Sequence, residues 1–175
     1  NMPVTDILPG MKVRVNGREM GMYASYSYLG LVGHPRINEA AKKAVDKFGT
    51  GTNGVRMLAG TLSLHKELEE TIANFKHAEA ALTYSSGYAT NLSVVSTLMG
   101  RGDYVFSDKL NHASIVDGCL MSGAEFRRFR HNDMEHLEGL LKNAPPDVAK
   151  LVIADSVFSM DGDIIDLPKM VALCK

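Results

Sequence analysis

The stretch Tyr104-Val-Phe-Ser-Asp-Lys-Leu-Asn-His-Ala-Ser-Ile-Val-Asp-Gly118 decides the fold, because it joins a strand to a helix through a polar loop. Residues 104–106 form a short apolar run that is typical of a buried strand. A helical pattern covers residues 113–121, and the polar loop lies between the two. In open α/β sheets such a loop lies at the carboxyl end of a strand, which is where ligands bind.

The same alternation continues on both sides of this stretch. Apolar runs predict strands at 80–84, 126–129 and 151–155, and helical patterns predict helices at 35–48, 63–75, 88–99, 132–142 and 167–175. The helix predicted at 132–142 has a capping-box-like start, with Asn132 as the N-cap and Glu135 at the third helical position. Near the start, Lys12-Val-Arg-Val15 followed by Asn16-Gly17 predicts a β-hairpin with a type I′ turn. The alternation of predicted strands and helices along the chain indicates an α/β fold with a largely parallel sheet.

Two further loops should lie beside the first at the same edge of the sheet. Ser85-Ser86-Gly87-Tyr88 precedes a helix, and its small residues would let backbone N–H groups approach a phosphate. The alternative is a tight connection without a ligand. Asp155-Ser-Val-Phe-Ser159-Met-Asp-Gly-Asp163 is acidic and rich in hydroxyl groups. Its spacing does not match an EF-hand, which favours ordinary turn chemistry over a metal site.

His112 is the candidate for chemistry in the central loop. Its imidazole, beside small residues at a helix start, could stack on a planar cofactor ring or shuttle a proton. The alternative is that Asn111 or Asp108 caps the helix and that His112 is a surface residue. The other histidines lack metal-ligand spacing. His131 follows the basic run Arg127-Arg-Phe-Arg130, which we interpret as an edge-strand or surface feature.

The composition excludes several classes of function. The formal net charge is −1 and Lys and Arg form no stripe, which argues against nucleic acid or an anionic membrane as the main partner. No apolar run approaches the roughly 20 residues of a bilayer span. Cys119 and Cys174 are too few for a disulfide framework or a zinc site, so we expect reduced thiols in the cytoplasm. The glycine-rich segment 49–60 follows a helix rather than a strand, so we predict a flexible loop and no dinucleotide site.

Taken together, these segments resemble the α-oxoamine synthases, a family of enzymes that use pyridoxal 5'-phosphate (PLP). The similarity extends from about residue 13 to residue 175, in order and in spacing. The Gly51–Thr61 part looks most similar to the serine palmitoyltransferase branch. The motifs that carry the resemblance are Tyr28-Leu-Gly-Leu31, His34-Pro35, Gly49-Thr-Gly-Thr-Asn-Gly-Val-Arg-Met-Leu-Ala-Gly-Thr61, His65-Lys-Glu-Leu-Glu69, Ser86-Gly-Tyr-Ala-Thr-Asn91, Asn111-His-Ala-Ser-Ile-Val-Asp-Gly118, Arg130-His-Asn-Asp133 and Val157-Phe-Ser-Met-Asp-Gly-Asp163.

The resemblance implies the large domain of the fold-type I PLP-dependent transferases. That domain is a three-layer α/β/α structure with a mostly parallel sheet, and this chain would be its truncated N-terminal part. We expect residues 1–33 to be an N-terminal segment with a β-hairpin and residues 34–175 to be an incomplete PLP-binding domain. The resemblance also implies a homodimer with active sites at the subunit interface.

The resemblance further implies roles for individual residues. Gly87 and Tyr88 would form the loop over the PLP phosphate. His112 would be the catalytic residue, which stacks on the pyridine ring and contacts the substrate carboxylate, and Ser159 would lie near the ring and its O3′. The implied reaction condenses serine, glycine or alanine with an acyl thioester of CoA or a carrier protein, usually with loss of CO₂, and gives an α-amino ketone. The alternatives are a non-catalytic partner subunit and a different fold-type I enzyme.

Two departures from the family pattern concern the active site. Ser27 and Tyr26 stand where family members commonly have an Asn before Tyr-Leu-Gly-Leu, which leaves the choice of substrate open. The Schiff-base lysine, the Asp that pairs with the pyridinium nitrogen and a neighbouring His are expected beyond Lys175, and that Asp belongs to a strand after the one that ends at Asp155. We therefore expect the 175-residue chain to be inactive by itself.

Overall fold

The computed structural model describes residues 5–8 and 10–175 and divides the chain into two units. The first unit ends at Glu67, and the second comprises Leu68–Lys175. The boundary falls inside helix α2 (Ser63–Lys76). Within the part of the chain that is described, no helix is both long enough and apolar enough to cross a bilayer.

The first unit contains an antiparallel sheet of three strands in sequence order. They are β1 (Thr5–Leu8), β2 (Lys12–Val15) and β3 (Arg18–Gly21). The turn between β2 and β3 has Asn16 at φ 50° and Gly17 at φ 79°, and a type I′ turn requires positive φ at both positions. The predicted hairpin is therefore confirmed, and β1 is an additional strand that its sequence did not indicate.

Helix α1 (Pro35–Phe48) begins and ends at the predicted residues. The Nδ1 atom of His34 accepts a hydrogen bond from the Arg36 N–H at 3.3 Å, so His34 caps the helix before the proline. Gly49 follows the last turn at φ 79°, a value that glycine adopts without strain. His34 and Gly49 therefore determine where α1 begins and where it ends.

The glycine-rich segment 49–60 is more ordered than its composition predicts. Arg56–Gly60 forms a single π-helical turn, in which the Gly60 N–H donates to the Val55 carbonyl at 2.9 Å. A side chain at Gly60 would collide with the Gly54 carbonyl, so the turn closes only around glycine. A glycine is required at position 60 because the backbone at Gly54 approaches it closely, and not because the loop must be flexible.

The second unit contains a parallel sheet with β4 in the middle. The strands β4 (Tyr104–Asp108), β5 (Glu125–Phe129) and β6 (Lys150–Ile153) are arranged in the order β5-β4-β6. Helices follow in alternation with the strands, as the sequence predicts: α3 (Gly87–Leu98), α4 (Ala113–Ser122), α5 (Met134–Lys142) and α6 (Leu167–Leu173).

Adjacent residues of β4 pack in two different hydrophobic clusters, because successive side chains of a strand point to opposite faces of the sheet. Val105 packs in a cluster with residues of α3 and α4, namely Val95, Met99, Ile115 and Cys119. Phe106 packs with residues of β5, α5, α6 and the loop after β6, namely Phe129, Met134, Leu137, Phe158, Ile165 and Met170. Helices thus cover both faces of the sheet, which confirms the predicted α/β/α layering.

Two local predictions were wrong. Residues 80–84 are extended but pair with no strand among the described residues. Instead, the Thr83 N–H donates to the Glu69 carboxylate at 3.0 Å, so a side chain of α2 supplies the acceptor that a neighbouring strand would. Helix α5 is capped by Asp133, not Asn132, because the Asp133 carboxylate accepts from the His136 N–H at 2.8 Å.

Helices α3 and α4 pack closely at Gly118. A Cβ atom placed there would lie 2.9 Å from the Asn91 carbonyl oxygen and 3.1 Å from the Val95 Cβ. Both of these neighbours belong to α3, so the distance between the two helices depends on a residue without a side chain.

Gly118→Ala should therefore destabilise the protein, although alanine favours helix by about 1 kcal/mol over glycine. Overpacking of this kind costs roughly 1–3 kcal/mol, which outweighs the propensity gain. Gly139→Ala in α5 is the matched control, because open space surrounds its Cβ position. In thermal unfolding of the intact protein, the first change should lower the midpoint and the second should leave or raise it. Equal midpoints for the two variants would contradict the packing argument.

Candidate functional site

The amide of Asn111 joins the carboxyl ends of β4 and β6. Its Nδ2 donates to the Ile153 carbonyl and to the Ser107 hydroxyl, each at 2.8 Å, and its Oδ1 accepts from the Asp155 N–H at 2.8 Å. Asn111 is buried, so these bonds are shielded from competing water. The loops that follow the two strands are consequently held in one arrangement.

His112, the next residue, is held at both its backbone and its ring. Its N–H donates to the Asp155 carboxylate at 2.8 Å. Its Nδ1 accepts from the Ser114 N–H at 3.2 Å and lies 2.7 Å from the Ser114 hydroxyl. His112 itself, rather than Asn111 or Asp108, is therefore the N-cap of α4. The His112 side chain therefore caps α4 and still keeps one edge of its ring exposed.

Tyr88 lies beside this imidazole. The two ring centroids are 6.3 Å apart with an interplanar angle of 77°, which is an edge-to-face contact. The Tyr88 hydroxyl hydrogen-bonds the Asp117 carboxylate, and this bond, together with desolvation, raises the pKa of the phenol. The phenol thus stays protonated and its ring is oriented by α4.

The N-terminus of α3 is open to a ligand. The Ser86 hydroxyl caps it by accepting from the Ala89 N–H at 3.1 Å. Nothing lies within 4 Å of the Cβ position of Gly87. The first N–H groups of a helix have no intrahelical partner, and the helix dipole favours an anion there. An anionic group could therefore approach the backbone at Gly87 and Tyr88 without steric hindrance.

A cavity of about 280 Å³ lies between the loops that follow β4 and β6. His112 and Ser159, which are 47 positions apart in sequence, both line it, as does Asp155. The other lining residues are Leu110, Asn111, Ala113, Phe158, Met160 and Asp161. The structure thus brings together His112, Ser159 and, through its ring contact, Tyr88; the roles assigned to them stay predictions.

A second cluster of polar side chains, which the sequence did not indicate, centres on Asp108. This carboxylate is fully buried and accepts from the Leu110 N–H at 2.8 Å, the Asn132 N–H at 2.8 Å and His131 Nδ1 at 2.9 Å. The other ring nitrogen of His131 lies 3.2 Å from the Asp163 carboxylate. His131 therefore bridges two acidic groups and is not a surface feature.

The surroundings of His131 favour its protonated form. The hydrogen bond to Asp108 is the main cause that raises the pKa of the imidazole, and Asp163 adds to the increase. The ring also packs edge-on against Phe158, with centroids 4.4 Å apart. The only signal in the sequence was an acidic residue, Asp108, at the end of an apolar strand, where a buried charge needs a partner.

Two carboxylates of the acidic loop after β6 bind residues of other loops. Asp155 binds the His112 backbone, and Asp163 binds His131. In the described chain, no group of three or more His, Cys, Asp or Glu side chains is arranged to hold a metal ion. Within the loop, the Phe158 N–H donates to the Asp163 carbonyl at 2.8 Å and the Gly162 N–H to the Phe158 carbonyl at 2.7 Å, which is turn chemistry.

The sequence model of the family Aminotransferase class I and II matches residues 22–175. Among curated proteins, the 8-amino-7-oxononanoate synthase of Geobacter sulfurreducens is 52% identical over 164 residues, which cover 94% of this chain and 42% of that protein. The 8-amino-7-oxononanoate synthase of Chromobacterium violaceum is 48% identical over 95% of this chain and 43% of its own length. The chain thus spans about two fifths of the relatives it matches.

Solved structures show the same similarity. A serine palmitoyltransferase from S. paucimobilis with bound PLP and myriocin superposes with a TM-score of 0.95 at 41% identity, over 99% of this chain and 44% of that one. An 8-amino-7-oxononanoate synthase from Francisella tularensis gives a TM-score of 0.73 at 29% identity, over 86% of this chain and 41% of that one.

The bridge from Asp108 through His131 to Asp163 should make stability depend on pH. The folded pKa of His131 is raised, so its contribution is fully present below the ordinary histidine pKa of about 6.5 and is lost as pH rises through the folded value. We expect the thermal midpoint of the wild type to exceed that of His131→Gln most at acidic pH, and the difference to shrink as pH rises. The exposed His77, changed to Asn, is the control. A difference that is constant with pH would contradict an ionic bridge.

Proposed function

Because this chain belongs to the Aminotransferase class I and II family, and within it to the α-oxoamine synthases, we propose that the full-length protein is a PLP-dependent acyltransferase. It condenses a small amino acid with an acyl thioester and releases an α-amino ketone. The observation that carries the proposal is a cavity at the carboxyl edge of the sheet that His112 and Ser159 line together, with the Tyr88 ring in contact with the His112 ring.

The described residues fit a PLP molecule. Gly87 leaves open space at the N-terminus of α3, where backbone N–H groups favour a phosphate. Tyr88 connects this terminus to His112, whose ring and the Ser159 hydroxyl line the adjacent cavity. A planar heteroaromatic ring would there have an aromatic neighbour and a hydroxyl group beside it. When bound, PLP supplies an electron sink for negative charge at the α-carbon of an amino acid.

Each residue has a separate task in this proposal. Gly87 and Tyr88 bind the phosphate through their backbone, while Asp117 keeps the Tyr88 ring in place. With the cofactor bound, His112 would stack on its ring and donate a hydrogen bond to the substrate carboxylate. Ser159 would lie near the cofactor ring and its O3′. These groups orient the reactants, which is the part of catalysis that a protein contributes to cofactor chemistry.

Asp155 has a task that differs from pairing with the pyridinium nitrogen. Its carboxylate accepts the His112 backbone N–H, and its own N–H donates to the Asn111 amide. Both contacts hold the loop that carries His112. The group that protonates the cofactor ring is therefore expected elsewhere in the full-length protein.

Alanine is the proposed amino acid substrate. The name 8-amino-7-oxononanoate describes an acid that ends in a CH₃–CH(NH₂)–CO– unit, and CH₃–CH(NH₂)– is what alanine retains after it loses its carboxylate. Serine would leave a hydroxymethyl group in place of the methyl. Curated relatives named 8-amino-7-oxononanoate synthase are up to 52% identical to this chain, against 39–42% for the serine palmitoyltransferase structures. This difference supports alanine, with serine and glycine as the other candidates.

We further propose a homodimer in the cytoplasm, with CoA or a carrier protein as the thiol of the thioester. The partner-subunit alternative is less supported, because the residues that fit PLP and substrate are present together. Light scattering of the intact protein tests the dimer, and a monomer at working concentration would contradict it.

A substrate panel tests the function. The intact protein with PLP is mixed with alanine, glycine or serine and with acyl-CoA or acyl-carrier-protein thioesters of several chain lengths. We expect thiol release that depends on the amino acid and is fastest with alanine, with the matching amino ketone detected by mass spectrometry. Conversion of the amino acid to a keto acid without thioester consumption would indicate an aminotransferase instead. The absence of any thiol release across the panel would contradict the proposal.

His112→Ala in the intact enzyme should impair turnover more than cofactor retention. The phosphate stays anchored by backbone groups near Gly87, whereas substrate orientation is lost, and misorientation costs on the order of 10²-fold in kcat/KM. PLP absorbance after gel filtration measures retention, and thiol release measures turnover. His77→Asn is again the control. A variant that loses PLP but turns over normally when PLP is in excess would overturn the role of His112.

A further inference from the structure

We propose that Asn91 and Ser114 are positioning residues that hold His112 as the neutral tautomer with its proton on Nε2. The Nε2–H group then faces the carboxylate of the amino acid substrate as a hydrogen-bond donor. This use of Nε2 rests on the function proposed above, whereas the tautomer itself follows from the contacts of this chain alone.

The first step concerns the backbone. A backbone N–H can only donate, and the Ser114 N–H points at His112 Nδ1 from 3.2 Å as part of the cap of α4. Nδ1 must therefore carry a lone pair. A neutral imidazole whose Nδ1 is an acceptor has its proton on Nε2.

The second step concerns the Ser114 hydroxyl, which is 2.7 Å from the same Nδ1. The Asn91 Nδ2 donates to this hydroxyl oxygen at 2.9 Å. Because Nδ1 carries a lone pair, the single hydrogen of the hydroxyl is directed at Nδ1, and the hydroxyl oxygen accepts from Asn91. Ser114 is almost completely buried, and water therefore does not compete for either bond. The direction of donation runs from Asn91 through Ser114 to His112.

The third step concerns the packing that makes this chain of bonds possible. Asn91 belongs to α3 and Ser114 to α4. The two helices approach closely at Gly118, where a Cβ atom would lie 2.9 Å from the Asn91 carbonyl oxygen. The same close approach brings the Asn91 side chain within hydrogen-bond distance of Ser114. The residue that sets the tautomer is thus on a different helix from the histidine.

The consequence concerns the free edge of the ring. No described residue forms a hydrogen bond with His112 Nε2, and the side chain lines the cavity with Ser159. An Nε2–H donor attracts a substrate carboxylate, whereas an Nε2 lone pair would repel it. Asn91 and Ser114 therefore determine whether Nε2 of His112 donates or accepts a hydrogen bond at the substrate, although neither residue contacts the substrate.

The test uses the intact enzyme with ¹⁵N-labelled histidine, in which long-range ¹H–¹⁵N correlation spectra report the tautomer of each ring. We expect His112 to carry its proton on Nε2 in the wild type. Asn91→Asp has the same shape but accepts from the Ser114 hydroxyl, so the oxygen lone pair turns to Nδ1 and the Nδ1–H form should become populated. Ser114→Ala removes the hydroxyl donor and should weaken the preference. Ser96→Ala is the matched control, because its hydroxyl bonds only within α3, to the Leu92 and Ser93 carbonyls.

Kinetics supply a second readout. Both site variants should raise KM for the amino acid by roughly 3- to 10-fold, the effect of one hydrogen bond, while kcat changes less and PLP is retained. An Nδ1–H tautomer or an imidazolium in the wild type at neutral pH would overturn the proposal. So would an unchanged tautomer in Asn91→Asp. If the wild type condenses none of the substrates, the proposed function fails, yet the spectra still decide the tautomer.

Discussion

The buried carboxylate of Asp108 is the constraint on which the arrangement of the carboxyl edge depends. A buried charge is unfavourable unless hydrogen bonds satisfy its oxygens, and the donors here come from Leu110, His131 and Asn132. These donors belong to the loops after β4 and β5, and His131 extends the connection to Asp163 in the loop after β6. Satisfying one charge therefore determines where three loops lie. A residue at the end of an apolar strand organises the surroundings of the cavity without lining it.

Asn111 is the second polar residue that holds the loop after β4 in place. Its amide supplies two donors and one acceptor between β4 and β6, and it thereby holds Asp155, which in turn holds the His112 backbone. Because both polar centres lie on the central strand or just after it, the candidate site is supported by the most buried part of the sheet. A site that must orient a cofactor and a substrate within fractions of an ångström benefits from such support.

His112 shows how one side chain serves structure and function. Its Nδ1 caps α4, its backbone N–H binds Asp155 and its carbonyl accepts from the Ile115 N–H, so three of its four polar groups are used for folding. The same contacts orient the ring toward the cavity that contains Ser159. The sequence left open whether His112 is a site residue or a surface residue beside a cap formed by Asn111 or Asp108, and the structure makes His112 itself the cap, a role that is compatible with a site residue.

The sequence by itself determined the elements and their order. The period of the apolar residues, Asn16-Gly17 in the hairpin turn, and Pro35 and Gly49 at the ends of α1 are local features, and local backbone preferences suffice to predict them. The motifs from Tyr28 to Asp163, taken together in their order and spacing, also indicated the family. Only the tertiary structure decided the rest. Residues 80–84 lack a partner strand in the described chain and bind Glu69 instead, and the bonds from Asp108 to His131 and from Asn91 to Ser114 join residues 23 positions apart in sequence. Such contacts depend on which loops and helices meet in space, and no periodicity along the chain carries that information.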